Sequence, residues 1–210
     1  MSDSTAATDL IVVTADIDAA GTIRALLARH QALSIRKIAA TVDRYVGRDS
    51  GCYRRAHEYL RPFISHFDYA LVVFDRHGCG NEGQSRVALE EDVEERLRRN
   101  GWANRSAAIV LDPELEAWVW SDSPEVDRVL GWAGKQPDLR TWLREEGLWS
   151  DDASKPSDPK QAMRSAQRHA RQPASAAVYR QLAQSVGVER CTDPAFEKLR
   201  ATLQRWFPAD

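Results

Sequence analysis

The sequence predicts an α/β fold: a mostly parallel sheet flanked by helices, with a helical appendage at the C-terminal end. Three observations carry that expectation. Three apolar, β-branched-rich runs, Ile11–Thr14, Ala70–Phe74 and Ala107–Leu111, are continuous rather than alternating, as strands buried on both faces of a parallel sheet are. Segments with helical spacing separate them, the alternation of wound α/β folds. Beyond about Gly131 the strand signal stops and helical patterns alone follow.

A first strand over about 10–16 leads into Asp18-Ala19-Ala20-Gly21-Thr22 and then Ile23, Leu26 and Leu27 at helical spacing, with Asp18 or Thr22 as the cap. Leu33 to Ala40 reads as a short second strand, and its Arg36-Lys37 pair suits an edge. Arg54 to His66 reads as an amphipathic helix interrupted by Pro62. A strand over about 69–75 runs into the glycine-rich loop Gly78-Cys79-Gly80-Asn81-Glu82-Gly83. Val87 to Asn100 is a charged helix closed by Gly101. The strand over about 106–111 follows, and Pro113 suits the first turn of a further helix. In the C-terminal part, Asp138 to Glu146 predicts a helix closed by Gly147. Ser150 to Pro159 predicts a loop, and helices follow over about 159–170, 174–186 and 193–206, the last capped by Asp193-Pro194. The expected division is a core over 8–135 and an appendage over 136–210 packed on it.

Every apolar run ends in carboxylates. In a parallel sheet, ligands collect outside the carboxyl ends of the strands, so Asp16, Asp18, Asp75, Asp112, Glu114 and Glu116 are expected at one edge. Such a rim is a seat for a divalent cation. Asp16 and Asp18, two residues apart on a strand end, share a side, although Asp18 equally suits a helix cap. Glu114 and Glu116 differ by about 200° on a helix. Both reach one site only if the backbone there is still extended. His77 is a candidate ligand or an ordinary loop histidine, and Glu82 a candidate cleft residue or a solvated one. Lys155 and Lys160 reach a phosphate at the site, or are exposed lysines on a loop.

A formal net charge of −2, from 29 Lys+Arg against 31 Asp+Glu, gives no basic footprint of the kind a stand-alone nucleic-acid binder carries. Clusters at Arg54-Arg55, Arg96 with Arg98-Arg99, and Arg164, Arg168 and Arg171 read as solvated helix faces. No apolar run approaches the ~20 residues of a membrane span, and the opening Met1–Asp9 lacks the pattern of a signal peptide. Three cysteines without CxxC spacing argue against a disulfide framework or zinc site. The expectation is a reducing cytoplasm and no membrane. The seven tryptophans are expected to pack the appendage on the core rather than stack bases. Nothing supplies a second base or oxyanion hole for a Cys79 nucleophile, and Gly78-Cys79-Gly80 lacks the lysine and length of a P-loop.

The acidic end of the first strand, the helix Ile23-Arg24-Ala25-Leu26-Leu27, the strand ending in Asp75, and Pro113-Glu114-Leu115-Glu116-Ala117-Trp118 together resemble the Toprim-like (Rossmannoid) proteins of bacterial anti-phage defence loci. Pro159-Lys160, Ser175-Ala176-Ala177-Val178-Tyr179 with Leu182-Ala183, and Cys191-Thr192-Asp193-Pro194-Ala195-Phe196 agree with the likeness, which is closest to the small Toprim-like component of methylation-associated systems. The resemblance implies a cleft where a glutamate after the first strand and an Asp-x-Asp after a later one hold Mg²⁺ for phosphoryl-transfer chemistry. This chain has Ala15-Asp16 in place of Glu-Gly and Asp75-Arg76-His77 in place of Asp-x-Asp. Histidine is a poor Mg²⁺ ligand and a better one for Mn²⁺ or Zn²⁺.

Two readings follow. In one, the chain is a Mg²⁺- or Mn²⁺-dependent phosphodiesterase or nuclease-like subunit. Asp16, Asp75 and Glu114 do the chemistry, Asp16, Asp18, Asp75 and Glu116 hold metal, and Lys155 and Lys160 bind the cofactor or phosphate. In the other, a catalytically degenerate module acts by binding other defence-system proteins. Nucleic acid or a nucleotide is the expected ligand of the first; oligomeric state is left open.

Overall fold

The computed structural model describes residues 8–173, 175–187 and 191–209. The three apolar runs become three of four parallel strands: β1 (Thr8–Thr14), β2 (Ala40–Arg44), β3 (Phe67–Asp75) and β4 (Ser106–Leu111), in the order β2-β1-β3-β4. Thr14 lies opposite Val73 and Arg44, and Asp75 opposite Leu111. That register brings all four carboxyl ends level. The segments following each strand therefore meet along one edge.

Strand alternation sorts the apolar residues into two layers. Leu10, Val12, Leu71, Val73 and Ile109 pack with Ala20, Ile23 and Leu26 of α1 (Ile17–Leu27) and with Phe196, Leu199 and Leu203 of α8 (Pro194–Trp206). Ile11, Val13, Val72, Phe74 and Val110 pack with Cys52, Ala56 and Leu60 of α2 (Arg48–Leu60) and Leu89, Val93 and Leu97 of α3 (Arg86–Leu97). The sheet is thus covered by helices on both faces, the predicted α/β class.

A third cluster joins Val119, Trp120, Val126, Leu130 and Trp132 to α5 (Leu139–Glu145), α6 (Pro159–Ala170) and α7 (Ala176–Ser185), with α4 (Pro124–Val129) among them. It spans the expected 135/136 boundary, and α8 belongs instead to the sheet layer. Five of the seven tryptophans lie between Trp118 and Trp149. They pack against other rings: Trp120 on Trp149, Trp132 on Trp142, and Trp118 on Phe196. Among the described residues no helix is long and apolar enough to cross a membrane, and all three cysteines are free and buried.

The expected second strand at Leu33 to Ala40 is corrected: β2 begins at Ala40. Ser34 adopts φ 56, which breaks an extended chain, and the Asp9 carboxylate takes the Arg36 guanidinium and the Ala39 N–H instead. The second helix starts at Arg48, six residues before the predicted Arg54, and ends at Leu60, with a short 3₁₀ turn at Arg61–Phe63. Gly47 and Gly51 serve close packing. A Cβ on Gly51 would lie 2.5 Å from Cε1 of Tyr45, whose ring is held edge-on by Tyr59. Gly51→Ala is therefore expected to lose about 1–2 kcal/mol, read from the urea midpoint. Pro113 opens no helix: Glu114 is extended (φ −160, ψ 172), and only a 3₁₀ turn, Leu115–Trp118, follows.

β4 is an edge strand whose outward amides are nonetheless occupied. Glu94 Oε1 accepts from Ala108 N–H at 2.9 Å, and Glu90 Oε1 from Val110 N–H at 3.0 Å. Arg86 and Lys198 neutralise these glutamates from either side.

Candidate metal centre

The carboxyl edge of the sheet assembles the site from four segments. Asp75 closes β3, Asp16 and Asp18 follow β1, Glu114 and Glu116 follow β4, and Asp49 follows β2 in the first turn of α2. Carboxylate oxygens of Asp75, Glu114 and Glu116 all lie within 4.8 Å of one another, the spacing of ligands around a single cation. The extended backbone at Glu114 makes this possible. Had a helix begun at Pro113, the two glutamates would have pointed apart. Hard carboxylate oxygens suit Mg²⁺ or Mn²⁺ better than soft metals, so the donor set fits such a cation.

Asp75 is held rigidly. Its N–H donates to Asp49 Oδ1 at 2.8 Å, and its Oδ1 accepts from Leu115 N–H at 3.0 Å. Burial, followed by the charges of Asp49, Glu116, Asp16 and Glu114, pushes its carboxyl up to about 9. Burial also raises Asp18, with Asp16 and Glu116 adding to it, and raises Asp49. A group of carboxylates that cannot all ionise together is one that gains by taking up a cation.

Asp16 caps α1, its Oδ1 accepting from Ala19 N–H at 2.8 Å, in place of the predicted caps Asp18 or Thr22. Asp18 Oδ1 is buried without a hydrogen-bond partner among the described residues. Both line a cleft of about 390 Å³ with Asp75, Glu116, Lys160, Arg164, Gln167, Ser175 and Tyr179. Lys160 Nζ donates to Glu114 Oε2 at 2.9 Å and lies 3.3 Å from Glu116 Oε1. Burial works against its charge, but the two carboxylates outweigh that and raise the ammonium above its ordinary value. Tyr179 donates to Glu116 Oε1 at 2.7 Å, and burial together with that carboxylate pushes its phenol up.

Other expected residues lie elsewhere. Lys155 pairs with Asp193 at 2.7 Å, the residue that caps α8 and accepts from Trp118 Nε1, so it braces the appendage rather than facing the triad. Asp112 pairs with Arg76 at 3.0 Å. Glu82 Oε1 accepts from Gly78 and Gly80 N–H, both at 3.0 Å, which folds the glycine loop on itself. His77 is 75% exposed, and its Nδ1 is 4.0 Å from Glu114 Oε2, beyond a hydrogen bond. Asp49 and Tyr179 were not anticipated. Asp49 had a signal, a carboxylate just past a strand, hidden because that strand and helix were misplaced. Tyr179 stands 63 residues from its partner, which no local spacing reveals. No protein family, curated protein or solved structure matches the chain.

Proposed function

We propose that this chain binds Mg²⁺ or Mn²⁺ at Asp75, Glu114 and Glu116 and uses it on phosphate esters, as a phosphodiesterase or nuclease-like subunit. The observation that carries the reading is the convergence of those three carboxylates within 4.8 Å at the carboxyl edge of a parallel sheet. A cation held there would stabilise charge on the attacking and leaving oxygens of a phosphoryl group. Asp16, Asp18 and Asp49 surround the triad and raise its appetite for positive charge. The setting, an anti-phage defence system with other defence proteins as partners, comes from the sequence resemblance to Toprim-like proteins, and the cytoplasmic location from cysteine usage.

The test is cleavage of single- and double-stranded DNA, RNA and a chromogenic phosphodiester by the purified protein with Mn²⁺ or Mg²⁺. Metal-dependent turnover is expected, lowered at least a hundredfold or so by Glu116→Gln, since loss of mere outer-sphere partners already costs about 10–100-fold.

One observation favours a second reading. Lys160 already neutralises Glu114 and Glu116, and Ile17 and Val46, just past β1 and β2, are 62% and 87% exposed. In that reading the ion cluster joins appendage to core, and the protein works by binding partners. No saturable Mn²⁺ binding, and no turnover of any substrate above the Glu116→Gln background, favours it.

A further inference from the structure

Two walls of unlike chemistry face each other across the cleft. The sheet edge supplies acceptors, the carboxylates of Asp16, Asp18, Asp75 and Glu116. Helix α6 supplies donors: Lys160, Arg164 and Gln167 stand at i, i+4 and i+7, one face of the helix, and all three line the cleft. Gln167 is only 3% exposed, yet its Nε2 has no hydrogen-bond partner among the described residues. A buried N–H group left unpaired is costly and marks a place where an acceptor from outside completes the network. Arg164 is exposed and has no carboxylate partner among the described residues. Lys160 differs, because its ammonium is committed to Glu114 and Glu116. Those are the two carboxylates that complete the triad with Asp75. An ammonium and a divalent cation therefore compete for one set of oxygens.

Resting on the metal reading above, we propose that the cleft takes a divalent cation and a phosphate-class oxyanion as a coupled pair. The cation displaces Lys160 from Glu114 and Glu116, and the released ammonium joins Arg164 and Gln167 in holding the anion. Without metal, an anion entering the cleft meets surrounding carboxylates and a lysine already engaged. With metal, the acidic wall is neutralised and a charge-assisted donor is set free. Binding free energies are reciprocal, so the anion must tighten the metal by the factor with which the metal tightens the anion.

Calorimetric titration of the whole chain with Mn²⁺, in phosphate-free buffer and then in inorganic phosphate, tests this once Mn²⁺–phosphate association has been subtracted from a protein-free run. Phosphate is expected to tighten Mn²⁺ at least about fivefold, within the usual range of coupling between sites, and to show no binding by itself. Lys160→Met should bind Mn²⁺ more tightly than wild type in phosphate-free buffer, because the competitor is gone, and should lose most of the phosphate effect. Gln167→Leu removes an unpaired buried amide without changing charge. It should melt like wild type, keep its Mn²⁺ affinity and show a smaller phosphate effect. Wild-type Mn²⁺ binding indifferent to phosphate, or a folded Lys160→Met that binds Mn²⁺ no more tightly, overturns the coupling and leaves the metal site standing. Absence of Mn²⁺ binding to wild type overturns the metal reading and the coupling together.

Discussion

Asp75→Asn is expected to stabilise the metal-free protein and to abolish its stabilisation by Mn²⁺. In the fold, burial and four neighbouring carboxylates push Asp75 up to about 9, against 3.8 for the ordinary group. Between those values the folded state keeps a proton that the unfolded chain has released, so stability falls as pH rises. The penalty is absent below the lower value and complete above the upper one. Asn is neutral in both states and still accepts from the Leu115 N–H. Near neutral pH the gain is on the order of 2–3 kcal/mol, below the full linkage value because the carboxyl keeps some solvent. This corresponds to roughly 5–10 °C in melting temperature for a chain of this size. Melts at pH 6, 7.5 and 9 in chelator should fall with pH for wild type and fall less steeply for the variant. With saturating Mn²⁺ the order should reverse, since ligand that binds only the native state stabilises it by mass action. A variant that is less stable than wild type in chelator at pH 9 would refute the argument.

Glu90→Ala is expected to be strongly destabilising although the residue is charged. The side chain is 2% exposed and accepts the outward Val110 N–H of β4. It also carries the Arg86 and Lys198 ion pairs, at 2.6 and 3.2 Å. Truncation strands a buried amide and leaves Arg86 without its carboxylate, while Lys198 keeps Glu94, a loss of about 3–5 kcal/mol. Lys198→Met, at the half-buried end of the network, should lose only about 1 kcal/mol. Urea midpoints measure both. The Glu90 variant should also aggregate more readily, because an uncapped edge strand invites pairing with another chain. A loss under about 1 kcal/mol for Glu90→Ala would mean that water replaces the carboxylate at β4 without penalty.

Where the sequence carries a strong local signal, it locates the elements closely. β4 occupies 106–111 as read, α6 runs over Pro159–Ala170, and α8 begins behind the Asp193 cap. The acidic rim was legible because a parallel sheet leaves few places for residues after its strands. The three carboxylates that converge all follow strands recognised from their apolar runs. The failures share a cause in tertiary contacts that override local pattern. The second helix reads as starting at Arg54, but it begins at Arg48 and takes in Gly51, where the Tyr45 ring occupies the space of the missing Cβ. Whether Glu114 is helical or still extended stays open in the sequence, and its extended backbone decides it. Lys155 and Lys160, five residues apart in one polar loop, part company only in three dimensions, one to Asp193 and the other to the triad.

The loop that carries Lys155 and leads into α6 is moored at several points. Trp149 Nε1 donates to Ala153 O at 2.8 Å, Lys155 holds Asp193, and Trp120 Nε1 donates to Pro159 O at 3.1 Å. The start of α6 is therefore tied to its surroundings, and Lys160 can leave the carboxylates by rotation about its own side-chain bonds, a motion of picoseconds to nanoseconds rather than the microseconds to milliseconds of a moving domain. Ligand entry into this cleft should accordingly follow single-exponential kinetics proportional to concentration, with no slow plateau to report a conformational step.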